Sequence, residues 1–253
     1  RLERRYAEFD GLNLSWETLE GVVKHNGPLR RKVPRFVAEY SAGHDLELDT
    51  HAGAEAQIAA LADDIAYCNH DLDDGLRAGL FTVEDLAGLP LVGAAFAGVA
   101  ARYPGLDQAR LINESLRRLI SRMVIDLVEE TARRLAALRP PDVAAVRHHH
   151  APVAGFSPAV AEPLAQLRSF LHERMYCHYK VRRMQRTARQ VVRELFTVLL
   201  EQPDCLPPDW QARAGASGDA LTSEAIADYI AGMTDRFALD EHERLFKLTG
   251  GAR

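Results

Sequence analysis

Apolar residues recur along this chain at steps of three and four, the spacing that places them on one face of an α-helix. The clearest case is the segment 54–78, whose apolar stripe consists of Ile58, Leu61, Ile65, Cys68, Leu72 and Leu76. Sustained alternation of apolar and polar residues, which is typical of a half-buried strand, is almost absent. The sequence therefore predicts an all-α protein.

Capping residues and helix breakers divide this pattern into elements. Ser15 is a predicted N-cap, and Gly27-Pro28 is predicted to end the helix that Ser15 opens. The segment from Thr82 to Asp85 predicts a capping box for a short helix. The other predicted helices cover 54–78, 90–103, 107–138, 158–201 and 223–238, with 28–52 irregular or a short helix.

Prolines also indicate how the chain is organised. Arg139-Pro140-Pro141 is predicted to end the longest helix, and Ser157-Pro158 is predicted to begin the next one. We therefore expect a helical region at 1–139, a linker at 140–157 that contains three consecutive histidines, and a C-terminal helical region at 158–253.

Composition excludes several classes of protein. The 253 residues are 47% apolar and 26% charged, which is ordinary for a globular protein and unlike a collagen or a disordered chain. No apolar run reaches the roughly 18 residues of a membrane span, and three cysteines indicate free thiols in a reducing compartment such as the cytoplasm. The net charge of −5 argues against a general polyanion binder but leaves room for a local basic pocket.

A second face of the helix at 54–78 carries polar groups. Asp63, Tyr67, Asp71 and Asp74 are spaced by four, four and three residues, so they share one side of the helix. Two interpretations fit this pattern: a solvated surface, or a face that meets a metal ion or a polar substrate, since hard divalent cations prefer carboxylate oxygens.

The helix after Pro158 carries a cationic and aromatic set. Arg168, His172 and Tyr176 are spaced by four and four and are predicted to line one face, suited to a phosphate together with a sugar or base ring. Pairing with acidic neighbours explains this set equally well. The stretch from Lys180 to Arg193 is the most basic of the chain and fits a nucleotide-facing surface, a nucleic-acid site or a subunit contact.

Three stretches together resemble a known family. They are LSWETLEGVVKHNGP at 14–28, ADDIAYCNHDLDDGL at 62–76 and DYIAGMTDRFA at 228–238. In this order they are similar to the deoxyguanosinetriphosphate triphosphohydrolase-like family of HD-domain phosphohydrolases, and the resemblance runs from Arg1 to about Phe246. It implies the C-terminal part of an HD-domain-like helical bundle.

The resemblance also implies a reaction and a cofactor. Members of this family hydrolyse a 2′-deoxynucleoside triphosphate to the deoxynucleoside and inorganic triphosphate. The chemistry needs a divalent metal ion, Mg²⁺, Mn²⁺ or another transition metal, to acidify the attacking water and neutralise phosphate charge. Cationic side chains are needed to hold the triphosphate.

The resemblance also implies functions for particular residues. Asp63 matches the distant metal-ligating Asp of the family, Tyr67 a substrate-facing Tyr, and Asp71 the acceptor for the sugar 3′-hydroxyl. The segment RSFLHERMY at 168–176 is similar to the family segment in which Arg168 would hold a phosphate and Tyr176 would pack against the deoxyribose. A ring against C2′ would exclude a ribose 2′-hydroxyl.

The family's remaining metal ligands, a His and a His-Asp dyad, are expected to lie N-terminal to Arg1. His44-Asp45 and His70-Asp71 lack the surrounding pattern. We therefore expect this chain to be a fragment that is inactive alone. The resemblance also implies that the protein forms homo-oligomers and responds to a second nucleotide. The alternatives are a non-catalytic nucleotide-sensing or oligomerisation module, and an HD phosphohydrolase for another nucleotide.

Overall fold

The structure is a computed structural model that describes residues 7–9, 11–31 and 33–246. All regular secondary structure in these ranges is helical, which confirms the predicted all-α class. The α-helices are α1 (Trp16–Val23), α2 (Arg35–Gly43), α3 (Ala54–Arg77), α4 (Pro90–Arg102), α5 (Gln108–Leu138), α6 (Val143–Arg147), α7 (Pro158–Leu171), α8 (Tyr179–Glu201), α9 (Pro208–Gln211), α10 (Ala220–Ala231) and α11 (Asp235–Phe246). No helix in the described ranges is long and apolar enough to cross a membrane.

The chain divides into two compact units, one ending at Cys177 and the other beginning at His178. In the first unit, α3, α4, α5 and α7 enclose one hydrophobic core. Leu72 of α3, Met123 of α5 and Leu167 of α7 are fully buried in it. Each such side chain contributes roughly 1.5–3 kcal/mol by leaving water, so the apolar stripes hold these helices together.

The second unit has a smaller core. Leu199 of α8 and Ile226 of α10 are fully buried, and the ring of Tyr229 lies 5.4 Å from that of Trp210. Glu194 of α8 accepts a hydrogen bond from His242 of α11 at 2.5 Å. Apolar packing and this polar contact join α8, α10 and α11.

Two of the predicted caps are confirmed by hydrogen bonds. The Ser15 hydroxyl accepts a hydrogen bond from the Thr18 amide, which confirms Ser15 as an N-cap. The Thr82 amide donates to the Asp85 carboxylate at 2.8 Å and the Asp85 amide to the Thr82 hydroxyl at 3.4 Å, the reciprocal pattern of a capping box. The element that it opens is a single 3₁₀ turn, Glu84–Leu86.

Two predicted helices are interrupted in the structure. The stretch 158–201 contains a π-helical turn, His172–Tyr176, where the Cys177 amide bonds the His172 carbonyl five residues back. A new helix starts after His178, whose extended backbone makes it an N-cap. The predicted last helix at 223–238 is two helices, α10 and α11, separated at residues 232–234.

The predicted linker at 140–157 packs within the first unit. Val153, Ala154 and Phe156 are buried, and Arg134 of α5 donates to the Ala154 and Phe156 carbonyls at 3.4 and 3.0 Å. The segment also contains α6, and the division between the compact units falls after it, at Cys177. These contacts tie the start of α7 to α5.

Alanine substitutions at two glycines inside helices are expected to change the free energy of unfolding in opposite directions. A Cβ on Gly75 of α3 would lie 2.3 Å from the buried ring of Phe81, whereas a Cβ on Gly98 of α4 would meet nothing within 4 Å. We expect Gly75→Ala to lower the free energy of unfolding by about 1–3 kcal/mol through overpacking. Gly98→Ala should raise it by about 0.5–1 kcal/mol, because alanine is the better helix former. Urea denaturation followed by circular dichroism measures both, and equal effects of the same sign would contradict this description of the core.

Candidate functional site

The polar residues of α3 lie on two sides of the helix. Asp63 lines a cleft with residues of α1 and α6. Asp64 and Asp71 instead meet side chains from α7 and the π-helical turn. Because Ile65, Cys68 and Leu72 are buried in the core of the first unit, the rotation of α3 about its axis is fixed, and with it the surroundings of each carboxylate.

Asp71 and Tyr176 are in direct contact although they are far apart in sequence. The Tyr176 hydroxyl donates a hydrogen bond to the Asp71 carboxylate. Partial burial, assisted by this hydrogen bond to a negative group, raises the pKa of Tyr176 to about 12. The phenol is therefore a neutral donor at physiological pH, and two of the residues singled out by sequence stand side by side.

Arg168 forms an ion pair with an acidic residue, which is the alternative that the sequence left open for its set. Its Nη2 lies 2.8 Å from Oδ2 of Asp64, and both side chains are about half exposed. The Cys68 thiol is buried beside them; burial raises its pKa, and the positive charge of Arg168 opposes that rise. Asp64 has no predicted role, so only the structure reveals this contact.

The remaining predicted residues surround these two pairs. Tyr67 follows Asp64 by three positions on α3 and is 63% exposed. The His172 ring meets the Tyr176 ring edge-on, with centroids 6.4 Å apart, and its Nε2 lies 3.6 Å from Sγ of Cys177. The predicted set of Arg168, His172 and Tyr176 thus lies in one neighbourhood, with the π-helical turn inside it.

Asp63 opens onto a cleft of about 870 Å³ between α1, the first half of α3 and α6. Carboxylates of Glu17 and Glu55 and the His25 ring share its lining, and small residues, among them Ala56 and Ala60, form part of its wall. The lining of the cleft therefore combines carboxylates with small apolar side chains.

A buried ionic network forms one wall of this cleft. Glu20 accepts from Arg147 Nε at 2.8 Å and from the Gly53 amide at 3.2 Å, and it pairs with Lys24 at 2.5 Å. Lys24 also donates to Thr50 Oγ1 at 3.0 Å. All three charged side chains are at least nine-tenths buried. This network fixes α1 to α6 and to the start of α3.

The sequence did not predict this network, because polar residues are normally assigned to the protein surface. The available signal was the i, i+4 spacing of Glu20, in α1, and Lys24, its C-cap. Trp16 adds to the network, since the Arg147 guanidinium lies 4.6 Å from its ring centroid.

The described residues do not form a metal site. No group of three or more His, Cys, Asp or Glu side chains within these ranges is arranged to hold an ion. This includes the histidines at 148–150, among which the rings of His149 and His150 are tilted by 48° with their centroids 4.2 Å apart. Asp63 supplies one carboxylate, which is fewer than a divalent ion needs from its protein ligands.

Known proteins match the chain along nearly its whole length. A model of the phosphohydrolase-associated domain matches residues 154–244. The chain is 55% identical to the deoxyguanosinetriphosphate triphosphohydrolase-like protein of Parvibaculum lavamentivorans, over 98% of this chain and 64% of that protein. The proteins of the same description from Caulobacter sp. strain K31 and Azorhizobium caulinodans are 49% and 50% identical, over 98% of this chain and 64% and 65% of theirs.

The helical fold and the domain match define the class: the chain is related to the HD phosphohydrolases. Within that class it is a homologue of the deoxyguanosinetriphosphate triphosphohydrolase-like proteins along nearly all of its own length. This confirms the resemblance read from the motifs at 14–28, 62–76 and 228–238. The chain spans about 64% of the length of the curated relatives that it matches.

The buried network supports a test of stability. Glu20→Gln would leave the charges of Lys24 and Arg147 buried without a counter-charge, and we expect a loss of about 3–5 kcal/mol in the free energy of unfolding. The control is Glu39→Gln, which breaks an exposed ion pair with Arg35 and should cost about 0–1 kcal/mol. Urea titrations of both variants measure the difference, and similar midpoints would contradict the proposed role of Glu20.

The raised pKa of Tyr176 supports a second test. Subtracting the alkaline absorbance titration of Tyr176→Phe from that of the unchanged chain should isolate one phenol with a midpoint near pH 12, against about 10 for a free tyrosine. Because the folded state holds this proton more tightly, its contribution to stability is complete below pH 10 and disappears as the pH rises through 12. Asp71→Asn should lower the midpoint without restoring the ordinary value, since burial is the larger cause. A midpoint near 10 in the unchanged chain would refute the assignment.

Proposed function

We propose that this chain is the substrate-binding part of a metal-dependent enzyme that hydrolyses 2′-deoxynucleoside triphosphates, such as dGTP, to the deoxynucleoside and inorganic triphosphate. The observation that carries the proposal is the joining of Asp71 and Tyr176, which are 105 residues apart, beside Arg168. The relatives that share its sequence support the reaction class.

In this proposal Arg168, Tyr176 and Asp71 each bind a different part of the nucleotide. The Arg168 guanidinium binds a phosphate through its donors that do not face Asp64, using charge-assisted hydrogen bonds. The Tyr176 ring packs against the deoxyribose, and the Asp71 carboxylate, already an acceptor, takes the sugar 3′-hydroxyl as a further donor. Tyr67, exposed on the same helix, faces the substrate.

The same arrangement accounts for a preference for deoxyribose. An aromatic ring that closes on C2′ leaves no space for a 2′-hydroxyl and offers it no hydrogen-bond partner. Tyr176 is held in place by its bond to Asp71 and by the edge of His172. We therefore assign sugar discrimination to Tyr176.

Asp63 is proposed as one ligand of the divalent ion, Mg²⁺, Mn²⁺ or another transition metal. The ion would neutralise phosphate charge and acidify a water molecule when bound. Because the described residues provide this single carboxylate and no complete ligand set, we propose that the 253-residue chain is inactive alone and that activity belongs to a protein of the relatives' full length.

The incomplete ligand set also favours a second candidate function for the chain alone. A pocket with Arg168, Asp71 and Tyr176 in place is sufficient to bind a nucleotide without turning it over, as a sensing module would. In either case we propose a cytoplasmic homo-oligomer, with the residues from 158 onward completing the pocket and making subunit contacts and with a second nucleotide as effector.

Triphosphate release from dGTP with Mg²⁺ or Mn²⁺ tests the proposal in a protein of the relatives' full length that contains this sequence. Asp63→Ala should abolish release, because the ion loses a ligand. Tyr176→Ala should keep release but lower the ratio of dGTP to GTP turnover by about tenfold or more, since a 2′-hydroxyl then fits. Product analysis by ion-exchange chromatography distinguishes triphosphate from phosphate.

Glu129→Ala is the control, because Glu129 is exposed on α5, which carries no residue of the proposed site. Its activity should equal that of the unchanged protein. Undiminished release in Asp63→Ala would remove Asp63 from the metal site, and release of single phosphates would favour the alternative of an HD phosphohydrolase for another nucleotide. Turnover by the 253-residue chain with added metal would contradict the proposal that it is inactive.

A further inference from the structure

The carboxylate of Asp64 has no part in the proposed function, although it contacts a residue that has one. Its Oδ2 accepts a hydrogen bond from Nη2 of Arg168 at 2.8 Å. The two residues are 104 positions apart in the sequence, so the packing of α3 against α7 brings them together. Of the two side chains in this contact, only that of Arg168 has an assigned role.

Asp64 belongs to a row of three side chains on α3. Asp64, Cys68 and Asp71 are spaced by four and three residues, so they fall within an arc of about 60° and extend over about 10 Å. At one end of the row Asp71 accepts a hydrogen bond from Tyr176, and at the other end Asp64 accepts one from Arg168. Cys68, between them, is buried. The two carboxylates therefore contact the two residues that the proposed function assigns to the sugar and to a phosphate.

The contact with Asp64 leaves most of the Arg168 guanidinium available. A guanidinium has five N–H donors, and this contact uses one of them, on Nη2. Arg117 and Arg133 of α5 differ, because each donates from both Nε and Nη2 to the two oxygens of one glutamate. A phosphate is bound by the same paired donors. Arg168 is thus held at one nitrogen, and its other donors can bind a phosphate.

An arginine at this position needs an acceptor if it is to be ordered before a ligand arrives. The Arg168 side chain is 47% exposed, and a long exposed side chain loses rotamer freedom when it binds a phosphate. An acceptor that already holds the guanidinium removes part of this loss. Asp64 is a rigid point from which to hold it, because the buried side of α3 fixes the rotation of that helix.

We propose that Asp64 is a positioning residue, which holds the guanidinium of Arg168 in place to receive a phosphate of the nucleotide. The inference rests on the proposed function, which assigns Arg168 to a phosphate. A carboxylate near a phosphate also repels it, so Asp64 has two effects on binding with opposite signs. Because Asp64 is paired with Arg168 and half exposed, the guanidinium and water weaken the repulsion, and we expect positioning to be the larger effect.

Steady-state kinetics of triphosphate release from dGTP with Mn²⁺ test the proposal in a protein of the relatives' full length that contains this sequence. Asp64→Ala should raise KM by about two- to tenfold, the effect of freeing one long side chain, and should leave kcat within about twofold. Asp64→Asn keeps an acceptor oxygen in the same place, so its KM should lie between those of the unchanged protein and of Asp64→Ala.

Two product inhibitors separate the positioning of Arg168 from a general disturbance of the pocket. Inorganic triphosphate should inhibit Asp64→Ala more weakly, by about the factor by which KM rises. Deoxyguanosine has no phosphate, so it should inhibit Asp64→Ala and the unchanged protein equally. A purely structural effect of the substitution would weaken inhibition by both compounds.

A double-mutant cycle makes the test specific. Because Asp64 acts through Arg168, adding Asp64→Ala to Arg168→Ala should not raise KM further. The control is Glu39→Ala, which removes the carboxylate of an exposed ion pair with Arg35 on α2 and should leave KM unchanged. Exposed ion pairs contribute little to folding stability, so unchanged circular dichroism and unfolding midpoints are expected for Asp64→Ala and for the control.

Each other outcome overturns the proposal. An unchanged KM in Asp64→Ala would make the ion pair a surface contact without a role in binding. A lower KM in both Asp64→Ala and Asp64→Asn would show that the carboxylate acts on the phosphates by repulsion. A rise in KM when Asp64→Ala is added to Arg168→Ala would show that Asp64 does not act through Arg168. Absence of dGTP turnover in the unchanged protein is a distinct result, which overturns the proposed function and this inference with it.

Discussion

The burial of one stripe of α3 sets the geometry of this protein. Ile65, Cys68 and Leu72 can leave water only if the helix turns this side towards α5 and α7, and a helix that is fixed in rotation has no freedom left for its other side chains. The carboxylates of two adjacent residues therefore have different neighbours: Asp63 lines the cleft beside α1, and Asp64 contacts Arg168. The hydrophobic effect, which is not directional, thus determines the direction of the polar groups.

A second constraint, the buried charge of Glu20, completes one wall of the cleft. Buried ion pairs are seldom a source of net stability, because desolvation opposes their attraction. Their value here is geometric, since Glu20 can satisfy Lys24, Arg147 and the Gly53 amide at once only in a single arrangement of α1, α3 and α6. The shape of the cleft that Asp63 lines is consequently specified more strictly than apolar packing alone would require.

Sequence was sufficient for most of the fold because helical periodicity and caps are local signals. The stripe of α3, the N-cap Ser15 and the stop near Gly27 need only neighbouring residues to be recognised. The contacts of Asp64 with Arg168 and of Asp71 with Tyr176 join α3 to positions more than a hundred residues away, and no local rule encodes such a distance. Family resemblance named Asp71 and Tyr176 together, but it gave Asp64 no partner. The break at Cys177 was also missed, since residues 171–181 contain neither glycine nor proline.

The π-helical turn at His172–Tyr176 determines which side chain of this segment faces α3. A π turn holds one residue more than an α turn, so it alters the rotation of Tyr176 about the helix axis while α7 keeps its own buried face. Loss of a single residue from this turn would carry the ring about 100° around the axis and separate it from Asp71. The composition of the pocket therefore depends on residue count as well as residue identity: an insertion or deletion of length one changes which side chain faces α3, while the buried face of α7 stays in place.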